Sequence, residues 1–112
     1  MKKLLLILLV STSVFTFAQQ TDKEAYIKKE SIGGRLDFTK RIEEKYGNET
    51  SIPFGKEHFS KKDYAILLWA ANVRTAGIES FDQAVKIWEE VNKRNLSEAE
   101  KKSLKTGFEA KF

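Results

Sequence analysis

Apolar residues in this chain recur mostly at helical spacings of three and four positions, and alternating apolar and polar runs are almost absent. Residues 37–46, 81–93 and 98–111 each place an apolar stripe along one face, which is the pattern of an amphipathic helix. Residues 60–76 contain a run from Tyr64 to Ala71 that is apolar or aromatic throughout. A helix that is apolar all round is surrounded by neighbours, so we expect it at the centre. The pattern predicts an all-α domain, a bundle of four or five helices around this central helix.

Serines mark the predicted starts of three helices. Ser60, Ser80 and Ser97 each stand three residues before an acid or an amide, which is the spacing of a capping box. Short turns between the last three helices predict antiparallel neighbours. Six apolar positions on the inward stripes are expected in the core: Leu67, Leu68, Ala71, Phe81, Val85 and Trp88.

Two segments are less regular than the predicted helices. Residues 19–34 carry a weak helical pattern that Gly33 and Gly34 end, which predicts a marginal helix or a frayed arm, the helix being favoured. Residues 48–59 predict an unusually apolar loop, since Pro53 interrupts any helix there. This loop either covers the bundle or forms a partner surface. In the second case Phe54, His58 and Phe59 would carry the contact.

The first 18 residues have the layout of a secretory signal peptide. Lys2 and Lys3 precede a run of Leu, Ile and Val, and small residues end the segment at Ala18. The predicted organisation is a signal peptide at 1–18, an N-terminal arm or marginal helix at 19–34, and one helical domain at 35–112. The chain is then exported to the periplasm or the medium and touches the membrane only through the signal before cleavage. An uncleaved anchor is the alternative, although Ser11 and Thr12 shorten the apolar run below the roughly 20 residues of a membrane helix.

Composition excludes several kinds of chemistry. The chain has no cysteine, so disulfides, thiolate zinc sites and cysteine nucleophiles are excluded. His58 is its one histidine, and no second histidine or calcium-loop pattern accompanies it. Paired carboxylates such as Glu89 and Glu90 fall on the polar faces of predicted helices. We therefore expect no catalytic residues, no metal and no cofactor.

The basic charge of the chain is modest once the signal is removed. The formal charge of +4 comes from 20 basic and 16 acidic residues, and losing Lys2 and Lys3 lowers it to about +2. The remaining basic residues are interleaved with acids, and export makes nucleic acid an unsuitable partner. The tightest cluster is Lys101, Lys102 and Lys105 on one predicted helix, a candidate surface for wall polymer or anionic lipid.

These observations favour a small exported, non-catalytic protein-interaction module. An inhibitor, an immunity-type partner or an adaptor would fit, acting on an unknown protein in the cell envelope or outside the cell. Binding to an envelope surface through the lysine cluster is one alternative, and a stress-protective chaperone is another. The identity of the partner and the oligomeric state stay open at this stage.

Overall fold

The computed structural model describes residues 22–111, and the predicted signal peptide lies outside them. The described chain is mainly helical, with five helices and one small β-hairpin. In chain order the elements are α1 (residues 22–30), α2 (Thr39–Tyr46), β1 (Ile52–Phe54), β2 (Glu57–Phe59), α3 (Lys61–Thr75), α4 (Phe81–Asn92) and α5 (Glu98–Glu109). Within the described part of the chain, no helix combines the length and the apolar character that crossing a membrane requires.

The three predicted serine caps are confirmed. The hydroxyls of Ser60, Ser80 and Ser97 accept the backbone N–H three residues on, at 3.1, 3.3 and 3.2 Å. Ser97 forms a complete capping box, because the Glu100 carboxylate accepts the Ser97 N–H in return at 2.9 Å. Each cap satisfies a backbone donor that has no partner inside the helix, and this fixes where α3, α4 and α5 begin.

Helix α3 is the central helix, as the sequence predicts. Six of its residues are buried: Ile66, Leu67, Trp69, Ala70, Ala71 and Val73. Of the six predicted core residues, Leu67, Ala71 and Trp88 are buried, whereas Leu68, Phe81 and Val85 are half-buried. The difference on α4 arises because its inward face is centred on Ala84, Ile87 and Trp88, which puts Phe81 and Val85 at the margin.

Helices α3 and α5 lie in close contact along one face. Leu104 and Phe108 of α5 are buried with the apolar residues of α3 and α4. At Gly107 the backbones approach so closely that a Cβ atom there would lie 1.9 Å from the carbonyl oxygen of Leu67. Glycine at this position lets the two helices meet backbone to backbone.

Helix α1, which lies in the segment predicted as an arm or a marginal helix, is docked on the bundle. Ile27 is fully buried in the main apolar cluster. Gln83 Nε2 donates to Glu24 Oε1 at 2.6 Å, and the Lys28 ammonium lies 2.7 Å from the Glu90 carboxylate. These contacts with α4 hold a helix that is too short to be stable alone.

The purely all-α prediction is wrong in one segment, because residues 52–59 form a hairpin rather than a loop. Its strands are antiparallel, and Ile52 pairs with Phe59 while Pro53 pairs with His58. Gly55, with φ of 63°, occupies the first position of the two-residue turn, where a positive φ is required. The hairpin is stable here because Ile52 and Phe59 are buried against the helices.

Candidate binding groove

A groove opens between the α1–α2 connection, helix α2, the start of α3 and the end of α4. Its volume is about 560 Å³, within the range of about 300–1,000 Å³ that small-ligand and peptide-anchor sites occupy. Its apolar lining comes from four elements and includes Ile32, Leu36, Ile42, Ile66, Trp69 and Trp88. All of these are buried except Ile32, which is 63% exposed. The groove therefore has an apolar floor, and Ile32 is an exposed apolar side chain at its edge.

The groove contains both tryptophans of the chain. Trp69 donates its indole N–H to the Ser31 hydroxyl at 2.8 Å, which ties the end of α1 to α3. The guanidinium of Arg94 lies 4.8 Å from the centre of a Trp88 ring, in cation–π geometry. Both rings are held in place by polar partners at their edges or faces, so the floor is pre-formed.

Two carboxylates on the rim are already bound by neighbouring groups. Asp37 accepts the backbone N–H groups of Gly33 at 2.9 Å and of Thr39 at 3.2 Å. Partial burial opposes ionisation of Asp37, but these donors outweigh it and hold its pKa below the ordinary value. Glu43 pairs with Lys61 at 3.3 Å, and the same ammonium also donates to the carbonyl of Gly47. Glu43 and Lys61 offset each other, so Asp37 leaves this side of the rim with one net negative charge.

The other side of the rim has two cations around one carboxylate. Arg94 binds Glu100 through two hydrogen bonds of 2.8 and 2.7 Å. Lys62 lies 3.7 Å from the same carboxylate, and its side chain is 72% exposed. The Arg94 hydrogen bonds, assisted by the N–H and hydroxyl of Ser97, lower the pKa of Glu100 to about 2. This cluster of Arg94, Glu100 and Lys62 carries one net positive charge beside the apolar floor.

The hairpin separates the three predicted contact residues. Phe59 is 7% exposed, and its ring lies 6.5 Å from that of the half-buried Phe54. Phe54 in turn lies 6.4 Å from the ring of Tyr64 in α3. His58 is exposed, because side chains alternate along a strand and it points away from Phe59. The structure therefore places the two rings on the inner face and the imidazole on the outer face.

The predicted lysine cluster lies near the hairpin. Lys102 is 69% exposed and forms a 3.0 Å ion pair with Glu57 of β2. Lys105 is exposed and Lys101 is half-buried. The ion pair places this face of α5 beside the tip of the hairpin, so part of the cluster's charge is neutralised by the fold.

Apolar side chains and paired charges surround the groove. In residues 22–111, no three His, Asp or Glu side chains converge in a way that would hold a metal ion. The polar groups around the groove hold each other or the backbone, and its exposed side chains include Ile32 and Lys62. Such a surface can take up an apolar group and contact an adjacent charge.

Sequence reasoning did not identify this groove. Ser31 and Ile32 belong to the segment 19–34, predicted as a marginal helix or an arm, and nothing in the sequence distinguishes Lys62 and Arg94 from the other basic residues. Trp88 was predicted in the core but not in a site. The available signal was the isolated Ile32 before Gly33, an apolar residue outside every predicted stripe.

Comparison with protein-family models, curated proteins and solved structures gives no match.

Proposed function

We propose that this chain is an exported, non-catalytic protein-interaction module and that the groove is its contact surface. The supporting observation is the combination of a pre-formed apolar floor with Ile32, an exposed apolar side chain on its edge. Concave apolar sites with a few fixed polar groups are typical binding sites. Export is supported by the signal-peptide layout of residues 1–18.

A protein partner fits this surface because the groove is open and is extended by Ile32. Interfaces gain most of their affinity from a few bulky side chains that enter pockets on the partner. A groove of about 560 Å³ has room for such a side chain. In this proposal the hairpin residue His58 is a peripheral contact, while Phe54 and Phe59 support the hairpin from its inner face.

The lysine cluster supports a second candidate function, the binding of wall polymer or anionic lipid. The observation in its favour is the 69% exposure of Lys102, and Lys101 and Lys105 would contribute. Such binding would weaken strongly with salt, because exposed charges are screened within about 10 Å at 0.1 M ionic strength. Retained sedimentation with cell-envelope material at 0.5 M salt would exclude the lysine cluster as its cause.

The test is affinity capture from the host with two matched variants. Tyr26 and Ile32 are the two large exposed apolar residues of the described chain, and only Ile32 lines the groove. We expect a stoichiometric protein to co-elute with the tagged chain and with Tyr26→Ser after a 0.5 M salt wash, but not with Ile32→Ser. Equal recovery with both variants would place the contact elsewhere. Many unrelated clients would indicate a chaperone instead.

A further inference from the structure

The two sides of the groove differ in net charge, and this difference affects which ligands the groove can bind. At one side Lys61 is neutralised by Glu43, and Asp37 is held by backbone N–H groups. At the other side Glu100 faces two cations, Arg94 and Lys62. The two sides therefore differ in net charge although both contain acids and bases.

The geometry singles out Lys62 as the group that can bind an additional anion. Both oxygens of Glu100 are held by Arg94 at 2.8 and 2.7 Å, whereas Lys62 lies a full 3.7 Å away. An ammonium has three donors, and a separation of 3.7 Å exceeds hydrogen-bond length. The side chain is also 72% exposed, so it can turn to a ligand in the groove without leaving Glu100 unpaired.

Arg94 places this positive charge directly against the apolar floor. Its guanidinium covers Trp88 at 4.8 Å, so the cationic rim and the aromatic wall are adjacent. A ligand that inserts an apolar side chain beside Trp88 and Trp69 would bring its neighbouring groups to Lys62 and Arg94. Charge complementarity therefore favours a carboxylate at that position.

We infer that the groove binds a peptide segment of its partner in which a bulky apolar residue stands next to an aspartate or glutamate. The apolar side chain enters between Trp69 and Trp88, and the carboxylate pairs with Lys62. This inference rests on the proposed function and specifies the chemistry of the partner.

Peptides are selected from a random phage-displayed library by their binding to the chain without its predicted signal peptide, residues 19–112. We expect the selected peptides to share an apolar residue flanked by Asp or Glu, and Ile32→Ser to abolish their binding. Affinities are then measured through the fluorescence of Trp69 and Trp88, which are the only tryptophans and both line the groove. A bound group beside the indoles will change their emission.

The charge contact is tested by a double-mutant cycle on one selected peptide. Replacing its acid by the matching amide, or making Lys62→Gln in the protein, should each raise Kd about two- to fivefold, the size that exposed ion pairs give. Together they should raise Kd no further than either alone, because both remove the same contact. The matched control is Lys86→Gln, an exposed lysine outside both the groove and the lysine cluster, which should leave Kd unchanged.

The remaining outcomes of these experiments each contradict one part of the proposal. Selection of apolar peptides without acids refutes the carboxylate preference but leaves the groove as a protein-binding site. An equal effect of Lys62→Gln and Lys86→Gln refutes the assigned contact, because diffuse charge would then explain the preference. If no peptide binds and decanoate changes the tryptophan emission, the occupant is a small amphiphile and both the inference and the proposed function fail.

Discussion

Gly107 gives the sharpest test of how α3 and α5 are packed. In Gly107→Ala the new Cβ would lie 1.9 Å from the carbonyl oxygen of Leu67 and 2.7 Å from its carbonyl carbon. Ordinary contact begins at 3.4 Å, so the shortfall to the oxygen is about 1.5 Å in an interior with little free space. Both atoms belong to the backbone of α3 and cannot rotate away. The alanine must therefore push the two helices apart.

Two effects of opposite sign determine how much Gly107→Ala changes the free energy of unfolding. In an isolated helix, alanine is favoured over glycine by about 1 kcal/mol. Inserting a methyl group into a filled core costs about 1–3 kcal/mol, and separation of the helices also loosens Leu104 and Phe108, which are 0% and 6% exposed. Because the clash is with backbone atoms, the packing cost should be at the upper end, about 3 kcal/mol. We therefore expect a net loss of about 2 kcal/mol in the free energy of unfolding, which lowers Tm by about 8–16 °C in a domain of this size.

The assay is urea unfolding followed by tryptophan fluorescence and by circular dichroism. The control is Lys105→Ala, an exposed position on the same helix, for which we expect a change within about 0.5 kcal/mol. An increase of about 1 kcal/mol in Gly107→Ala would mean that helix propensity dominates. That result would refute the close backbone contact between α3 and α5.

Three further predictions concern groups that hold the fold. The pKa of Glu100 is lowered to about 2, so the stability that its ionised form contributes is complete above about pH 4.5 and is lost as pH falls toward 2. The urea midpoint should therefore decrease over this pH range, and the decrease should be smaller in Glu100→Gln. Ser31→Ala leaves the buried N–H of Trp69 without its partner, and we expect a loss of about 1–3 kcal/mol in thermal unfolding. Phe59→Ala should cost about 3 kcal/mol because the ring is buried, whereas His58→Ala should change stability by less than about 0.5 kcal/mol; equal effects would contradict the assigned faces of the hairpin.

Much of the helical architecture could be predicted because local signals and burial agree. The serine caps at Ser60, Ser80 and Ser97 mark the starts of α3, α4 and α5, and the apolar run of α3 identifies the central helix. The hairpin could not be predicted because each of its strands has only three residues. An alternating pattern of apolar and polar residues cannot be recognised over so short a length. The remaining signal was Gly55 followed by Lys56, a Gly-X pair suited to a tight hairpin turn.

The groove could not be predicted because it is formed by residues far apart in the sequence. Ile32, Ile66 and Trp88 belong to three different elements, and only their relative placement creates a concave surface. Gly107 illustrates the same limit in the core. Its sequence context predicts a weakened helix, whereas the packing gives it a role that depends on Leu67, a residue forty positions earlier.

The measurement that most directly tests the groove as an interaction site is photo-crosslinking from position 32 in the host. A photoreactive amino acid replaces Ile32 in one variant and Tyr26 in a second, and the covalent adducts are identified by mass spectrometry. We expect one protein adduct from position 32, located in a segment with a bulky apolar residue beside an acid, and no such adduct from position 26. The same adduct from both positions, or only lipid or wall material from position 32, would contradict the account.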